Sequence, residues 1–175
     1  MITVCKSDFD RQIVPDDCPD VSYLGGYGKQ PETEWAIDRK ARGDWQHGEF
    51  PYWNPSNHVP PGLEANWAHV PNEQIADAIK VHGSREQAIH ALDCQHVEED
   101  YQRMESLGSD WSVVGVRAAV ELPIPYGKDR IITRIESPGL WGIESDSGED
   151  YFDSVFHEES NILADMLAEL GVAVK

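Results

Sequence analysis

Trp111-Ser112-Val113-Val114-Gly115-Val116-Arg117-Ala118-Ala119-Val120-Glu121-Leu122 is the stretch that decides the fold class. In an extended chain Ser112, Val114, Val116, Ala118, Val120 and Leu122 fall on one side, and Trp111, Val113, Gly115, Arg117, Ala119 and Glu121 on the other. A period of two with one strongly apolar side marks a strand. Downstream, Pro123-Ile124-Pro125-Tyr126-Gly127-Lys128-Asp129 reads as a loop and residues 130–136 as a second strand. Ser137-Pro138-Gly139 reads as a turn, and Leu140–Glu144 as a third strand. Short links between successive strands predict a three-stranded antiparallel meander.

Helical patterns flank this sheet. Upstream, a short helix opens at Asn72-Glu73-Gln74 and ends near Gly83. Ser84-Arg85-Glu86-Gln87 fits a capping box, and the helix it starts runs to about Leu107, with Gly108 as its stop. Cys94, Val97, Tyr101 and Met104 lie on one stripe at three- and four-residue spacing. Downstream, residues 149–170 form an amphipathic acidic helix with Phe152, Val155, Phe156, Leu163, Met166, Leu167 and Leu170 on its apolar stripe. Ser147 with Asp150 resembles a capping box, and Gly171 is a good stop. Helices followed by an antiparallel sheet and a final helix predict an α+β fold.

The first 71 residues have a different composition. They hold eight of the eleven prolines and four of the six tryptophans. The prolines break long elements, yet the aromatic side chains favour burial. The expected organisation is a loop-rich, aromatic, Pro-rich segment over residues 1–71, packed on an α+β core domain of residues 72–175. One short helix is expected near 32–42.

Charge sets the class of partner. Thirty-two acids against fourteen bases leave −18 at pH 7. Such a field repels nucleic acid and anionic membranes and attracts basic surfaces. No apolar run is long enough to span a bilayer, and the first eight residues lack a secretory signal pattern. Cys5, Cys18 and Cys94, an odd number at long spacings, argue against a disulfide framework and for a reducing cytoplasm. Half the net charge lies in residues 135–175, where ten acids face one base, and no Lys or Arg occurs between Arg134 and Lys175.

Three runs are distinctive together: Asp100-Tyr101-Gln102-Arg103-Met104-Glu105; Gly115-Val116-Arg117-Ala118; and Gly139-Leu140-Trp141-Gly142-Ile143-Glu144-Ser145-Asp146-Ser147-Gly148-Glu149-Asp150-Tyr151. Over about residues 97–171 the chain resembles a family of small uncharacterised bacteriophage and prophage proteins. The resemblance brings no enzymatic activity. It implies a phage origin and a bacterial host cytoplasm, where small acidic proteins often block host defence systems.

No catalytic residue, metal site or cofactor is assigned. The chain lacks a His-Glu-x-x-His motif, a Gly-x-Ser-x-Gly elbow, a P-loop and a dinucleotide fingerprint. Glu144, Asp146 and Gly148 match a calcium loop only loosely, and His90, Cys94 and His96 lack a second zinc-ligand pair. The candidate partner-binding residues are Trp141, Glu144, Asp146, Glu149, Asp150, Asp153, Glu158, Asp165 and Glu169. Residues 149–170 span about 33 Å of helix with roughly one acid per 5 Å, against a DNA charge about every 3.4 Å per strand. The expected function is a phage-type inhibitor, anti-CRISPR or anti-restriction in kind. It would present a DNA-mimicking surface to a basic nucleic-acid-binding host protein, without binding nucleic acid or membrane itself. The alternatives are a small metal-dependent accessory enzyme using Glu144, Asp146 and Glu149, and a phage assembly protein contacting partners through its aromatic N-terminal region. Glu159 falls inside the apolar stripe, and a buried carboxylate needs a partner; Arg117 or Arg134 is expected to supply it.

Overall fold

A computed structural model describes residues 2–56 and 72–175. The chain is mixed α+β and divides into two compact units, Met1–Pro19 with Gly108–Lys175, and Asp20–Leu107. This division falls elsewhere than the expected boundary between residues 71 and 72. Pro60, Pro61, Trp67 and Pro71, counted above in the aromatic segment, lie outside the described residues.

In the first unit, β2 (Asp10–Pro15) pairs antiparallel with β6 (Val113–Tyr126), Ile13 opposite Val116. β7 (Asp129–Glu136) pairs with the distal half of β6, Ala119 opposite Glu136 and Ile124 opposite Ile131. β8 (Leu140–Glu144) pairs with the proximal part, Val116 opposite Leu140 and Val114 opposite Ile143. The expected meander is therefore corrected: β8 does not fold back beside β7 but continues it along β6. Ser137-Pro138-Gly139 is a break within one strand line, not a reversal. Ser137 keeps the ladder alive there, donating its N–H to the Ala118 carbonyl at 2.9 Å and accepting the Ala118 N–H on Oγ at 3.0 Å. A register shift between Val114 and Val116 absorbs a further irregularity.

The expected loop 123–129 is also corrected, since β6 runs on to Tyr126 and only Gly127-Lys128 turn. Pro123 and Pro125 are tolerated in this strand because β2 stops at Ala119, leaving that edge without a ladder that needs their missing N–H groups.

Helix α4 (Glu149–Glu169) covers one face of the sheet. Phe152 and Val155 pack with Val114, Val116 and Ile143. Leu163, Ala164 and Leu167 pack with Ala118, Val120 and Leu122, and with Val4, Phe9 and Val172. At about 1.5–3 kcal/mol per buried large apolar side chain, this layer is the main source of the unit's stability. Gly148, not Ser147, is the N-cap, without a side-chain cap bond. Gly171 takes φ +78°, ending the helix as expected. Two short parallel strands, β1 (Thr3–Val4) and β9 (Ala173–Val174), tie the two ends of the unit together.

In the second unit, β3 (Gly25–Gly28), β5 (Tyr52–Pro55) and β4 (Ile37–Asp38) form a small antiparallel sheet in that order. The expected helix at 32–42 shrinks to α1 (Arg39–Arg42), where Asp38 accepts the Ala41 N–H and Gly43 closes at φ +87°. Helices α2 (Asn72–His82) and α3 (Arg85–Glu105) follow. Ser84 caps α3 as the sequence predicts, accepting the Gln87 N–H. Trp35, Ile37 and the fully buried Trp53 pack on Val97 and Tyr101 of α3.

Candidate functional site

The acidic residues singled out by sequence all belong to the first unit, on β8, the turn after it and α4. Asp146, Glu149, Asp150, Asp153, Glu158, Asp165 and Glu169 are exposed and Glu144 is half-buried. The helical period explains the exposure: Phe152, Val155, Leu163 and Leu167 claim the inner face, leaving Glu158, Asp165 and Glu169 on the outer one.

Two acids at the start of the helix share one arginine. Arg11 reaches from β2 to the start of α4, with Nη2 at 2.9 Å from Glu149 Oε2 and Nη1 at 2.7 Å from Asp153 Oδ1. A third acid of the helix, Glu159, points inward. What remains outward is Asp150, Glu158, Asp165 and Glu169, spaced at about 12, 10 and 6 Å along the axis. The correspondence with a DNA strand is thus about one phosphate in three rather than the near continuity expected.

Glu159 corrects another expectation. It is buried, and its Oε2 accepts the Gly139 N–H at 3.0 Å. Neither arginine pairs with it: Arg117 and Arg134 both turn to Glu136, at 2.8 and 2.6 Å. The carboxylate instead satisfies the backbone at the break between β7 and β8. Gly139 there takes φ +83°, a conformation that favours glycine.

Trp141 stands at the edge of the acidic surface, 43% exposed. Its Nε1 donates to the Pro138 carbonyl at 3.2 Å, and its ring lies over Gly115, where a Cβ would sit 2.4 Å from the ring. The glycine at the centre of the deciding strand is therefore the seat of this indole. Beside it, Gly142, Ile143, Glu144, Ser147, Gly148 and Tyr151 line an open cleft of about 450 Å³. A carboxylate and a phenol ring at its wall suit a basic side chain.

The donors weighed for metal do not assemble. Among the described residues no three His, Cys, Asp or Glu side chains are grouped to hold a metal ion. Glu149 is held by Arg11. Cys94 Sγ lies 3.8 Å from His90 Nε2, while His96 faces Glu99 at 3.5 Å.

A polar cluster that the sequence did not reveal centres on Arg39 in the second unit. Its buried guanidinium meets Tyr101 Oη at 3.4 Å, the Phe50 carbonyl at 3.1 Å, Glu49 at 3.1 Å and Glu105 at 3.3 Å. It also lies 4.9 Å from the Tyr27 ring centre. Burial weighs against the Arg39 charge, but the Tyr101 hydroxyl and the nearby carboxylates outweigh it and hold the proton more firmly than usual. Tyr27 donates to Glu105 at 2.6 Å, and burial together with that bond pushes its phenol pKa well up. The buried guanidinium is thus met by carboxylates, a carbonyl and a phenol hydroxyl. The only sequence signal for it was Asp38 and Gly43 bracketing Arg39.

Comparison with protein-family models, with curated proteins and with solved structures returned no match.

Proposed function

We propose that this chain is a non-enzymatic, phage-type inhibitor of a basic nucleic-acid-binding host protein, such as a CRISPR effector or a restriction enzyme. The observation that carries the reading is the outer face of α4: Asp150, Glu158, Asp165 and Glu169 are exposed, and no Lys or Arg occurs from residue 135 to 174. In an ordinary soluble helix the signs alternate. Here an amphipathic helix offers one sign only, which steers association toward a basic groove. Glu144 and Asp146 extend the surface past the helix start, and Trp141 supplies a pre-seated aromatic anchor beside the cleft. Arg11 fixes the helix start and trims the local charge, so the surface acts as a spaced acidic ladder and not as a full phosphate copy.

The test is expression in a bacterial host with an intact defence system, challenged by a phage that the system restricts. Plaquing rises with the native chain and returns to the restricted level with Asp150→Lys, Glu158→Lys and Asp165→Lys combined. Plaquing unchanged by the native chain across defence systems contradicts the proposal.

A further inference from the structure

Strand β3 is Gly25-Gly26-Tyr27-Gly28, and the fold demands only two of its glycines. At Gly25, which takes φ +144°, a Cβ would sit 2.5 Å from the Asn54 carbonyl oxygen and 2.8 Å from the Trp53 ring. At Gly28 it would sit 2.6 Å from Asn54 Nδ2. Both glycines let β3 lie close on β5. Gly26 has neither reason: its φ is not positive, and a Cβ there would meet nothing within 4 Å. A glycine inside a strand weakens it unless something approaches its backbone. The open space at Gly26 is a cavity of about 500 Å³ that it lines, within the size range of small-molecule sites.

The polar walls of this cavity are weighted toward acceptors. Ser22 gives its hydroxyl proton to Asp20, a bond that holds the Asp20 carboxyl below its ordinary value. Ser56 gives its own to the Tyr23 carbonyl. Both oxygens keep lone pairs to offer. Glu32 adds a carboxylate that makes no ion pair or hydrogen bond among the described residues. Its backbone is held from within the sheet. The buried Asn54 accepts the Glu32 N–H on Oδ1 at 2.9 Å and donates from Nδ2 to the Gln30 carbonyl at 3.3 Å. One amide thus fixes the loop that carries the carboxylate. No Lys, Arg or His lines the cavity, and Pro55 gives it an apolar wall.

We propose that this cavity binds a free aliphatic polyamine, with a primary ammonium on Glu32 and the Ser22 and Ser56 oxygens and the methylene stem along Pro55 and Gly26. An ammonium brings three donors and no acceptor, the complement of walls that have given their hydroxyl protons away. Glu32 repels an anion. A sugar needs donors that Ser22 and Ser56 no longer have. A hard divalent cation takes six or more oxygens with several carboxylates, and among the described residues no three ligating side chains are grouped. The net charge of −18 concentrates a small organic cation near the chain. Every residue of the cavity belongs to the second unit, so the proposal does not depend on the inhibitor reading.

The test is isothermal titration calorimetry of the full chain with spermidine at low and moderate salt. One saturable site is expected, and an uncharged aliphatic diol of similar length does not fill it. Gly26→Leu changes no charge, occupies the cavity and abolishes the site, while the chain melts no lower than the native one. Glu32→Gln weakens binding by about tenfold or more. Its side chain is exposed, so this variant keeps the proposal testable whatever Gly26→Leu does to the strand. Asp150→Lys, Glu158→Lys and Asp165→Lys combined leave the site unchanged. Absence of a saturable site overturns the proposal, as does binding that survives Gly26→Leu in a folded chain, is indifferent to Glu32→Gln, or vanishes with the charge reversal on α4. A glycine-flanked lysine peptide bound more tightly than spermidine also overturns it and assigns the cavity to a protein lysine.

Discussion

The Glu159 carboxylate accepts the backbone N–H of Gly139 at 3.0 Å and so fastens α4 to the break between β7 and β8. Glu159→Ala leaves that N–H without its charged acceptor and is expected to cost about 2 kcal/mol. Glu159→Gln keeps an acceptor oxygen and costs less than half as much. Urea unfolding of the two variants, compared at equal slope, measures the difference.

That bond also shows where sequence reading reaches and where it stops. The strand at 111–122, the Ser84 cap and the Gly171 stop are local signals, carried by periodicity and by single residues, and they were legible. The need for a partner at Glu159 was legible too. The partner was not, because it is a backbone amide brought near by a non-local register. Ser137-Pro138-Gly139 has the chemistry of a reversal, and only pairing to β6 shows that it is a break in one line. The acids of the candidate site were legible as a list. Their engagement by Arg11 was not, since 138 and 142 residues separate Arg11 from Glu149 and Asp153. Arg39 was missed for the same reason: its burial depends on carboxylates and a carbonyl from two other segments, residues 49–50 and the end of α3.

Gly115 seats the Trp141 ring, so Gly115→Ala forces the indole away or strains β6. The expected loss is about 1–3 kcal/mol, with a red shift in the part of the tryptophan emission that Trp141→Phe removes. If Trp141 anchors the partner, Gly115→Ala weakens binding as much as Trp141→Ala does. Surface plasmon resonance against the captured partner reads this.

Stability should depend on pH through two groups of the second unit. The hydrogen bond from Arg42 to Glu98, at 2.9 Å, holds the Glu98 carboxyl below its ordinary value. Its contribution is present above the unfolded carboxyl value of about 4.3 and is lost as pH falls through the lower folded one. Arg42→Gln flattens this acid limb. Burial and the bond to Glu105 raise Tyr27 instead, so its contribution is full below about pH 10 and is lost as pH rises further. Tyr27→Phe flattens the alkaline limb. Thermal melts across pH check both signs.

Arg11→Ala releases Glu149 and Asp153 from their shared guanidinium. Both carboxylates are largely exposed, so the stability loss stays under about 1 kcal/mol. The acidic face gains effective charge, and association with a basic partner becomes faster at low salt but not at high salt. Stopped-flow association rates at two ionic strengths measure the effect.

The most direct test of the central claim is affinity capture from a bacterial host with intact defence systems, using the tagged native chain beside the variant Asp150→Lys, Glu158→Lys, Asp165→Lys. The account predicts that the native chain retains a basic nucleic-acid-binding complex, that added duplex DNA or salt releases it, and that the folded variant does not retain it. A complex held equally by both chains, or held against competing DNA, would contradict the account.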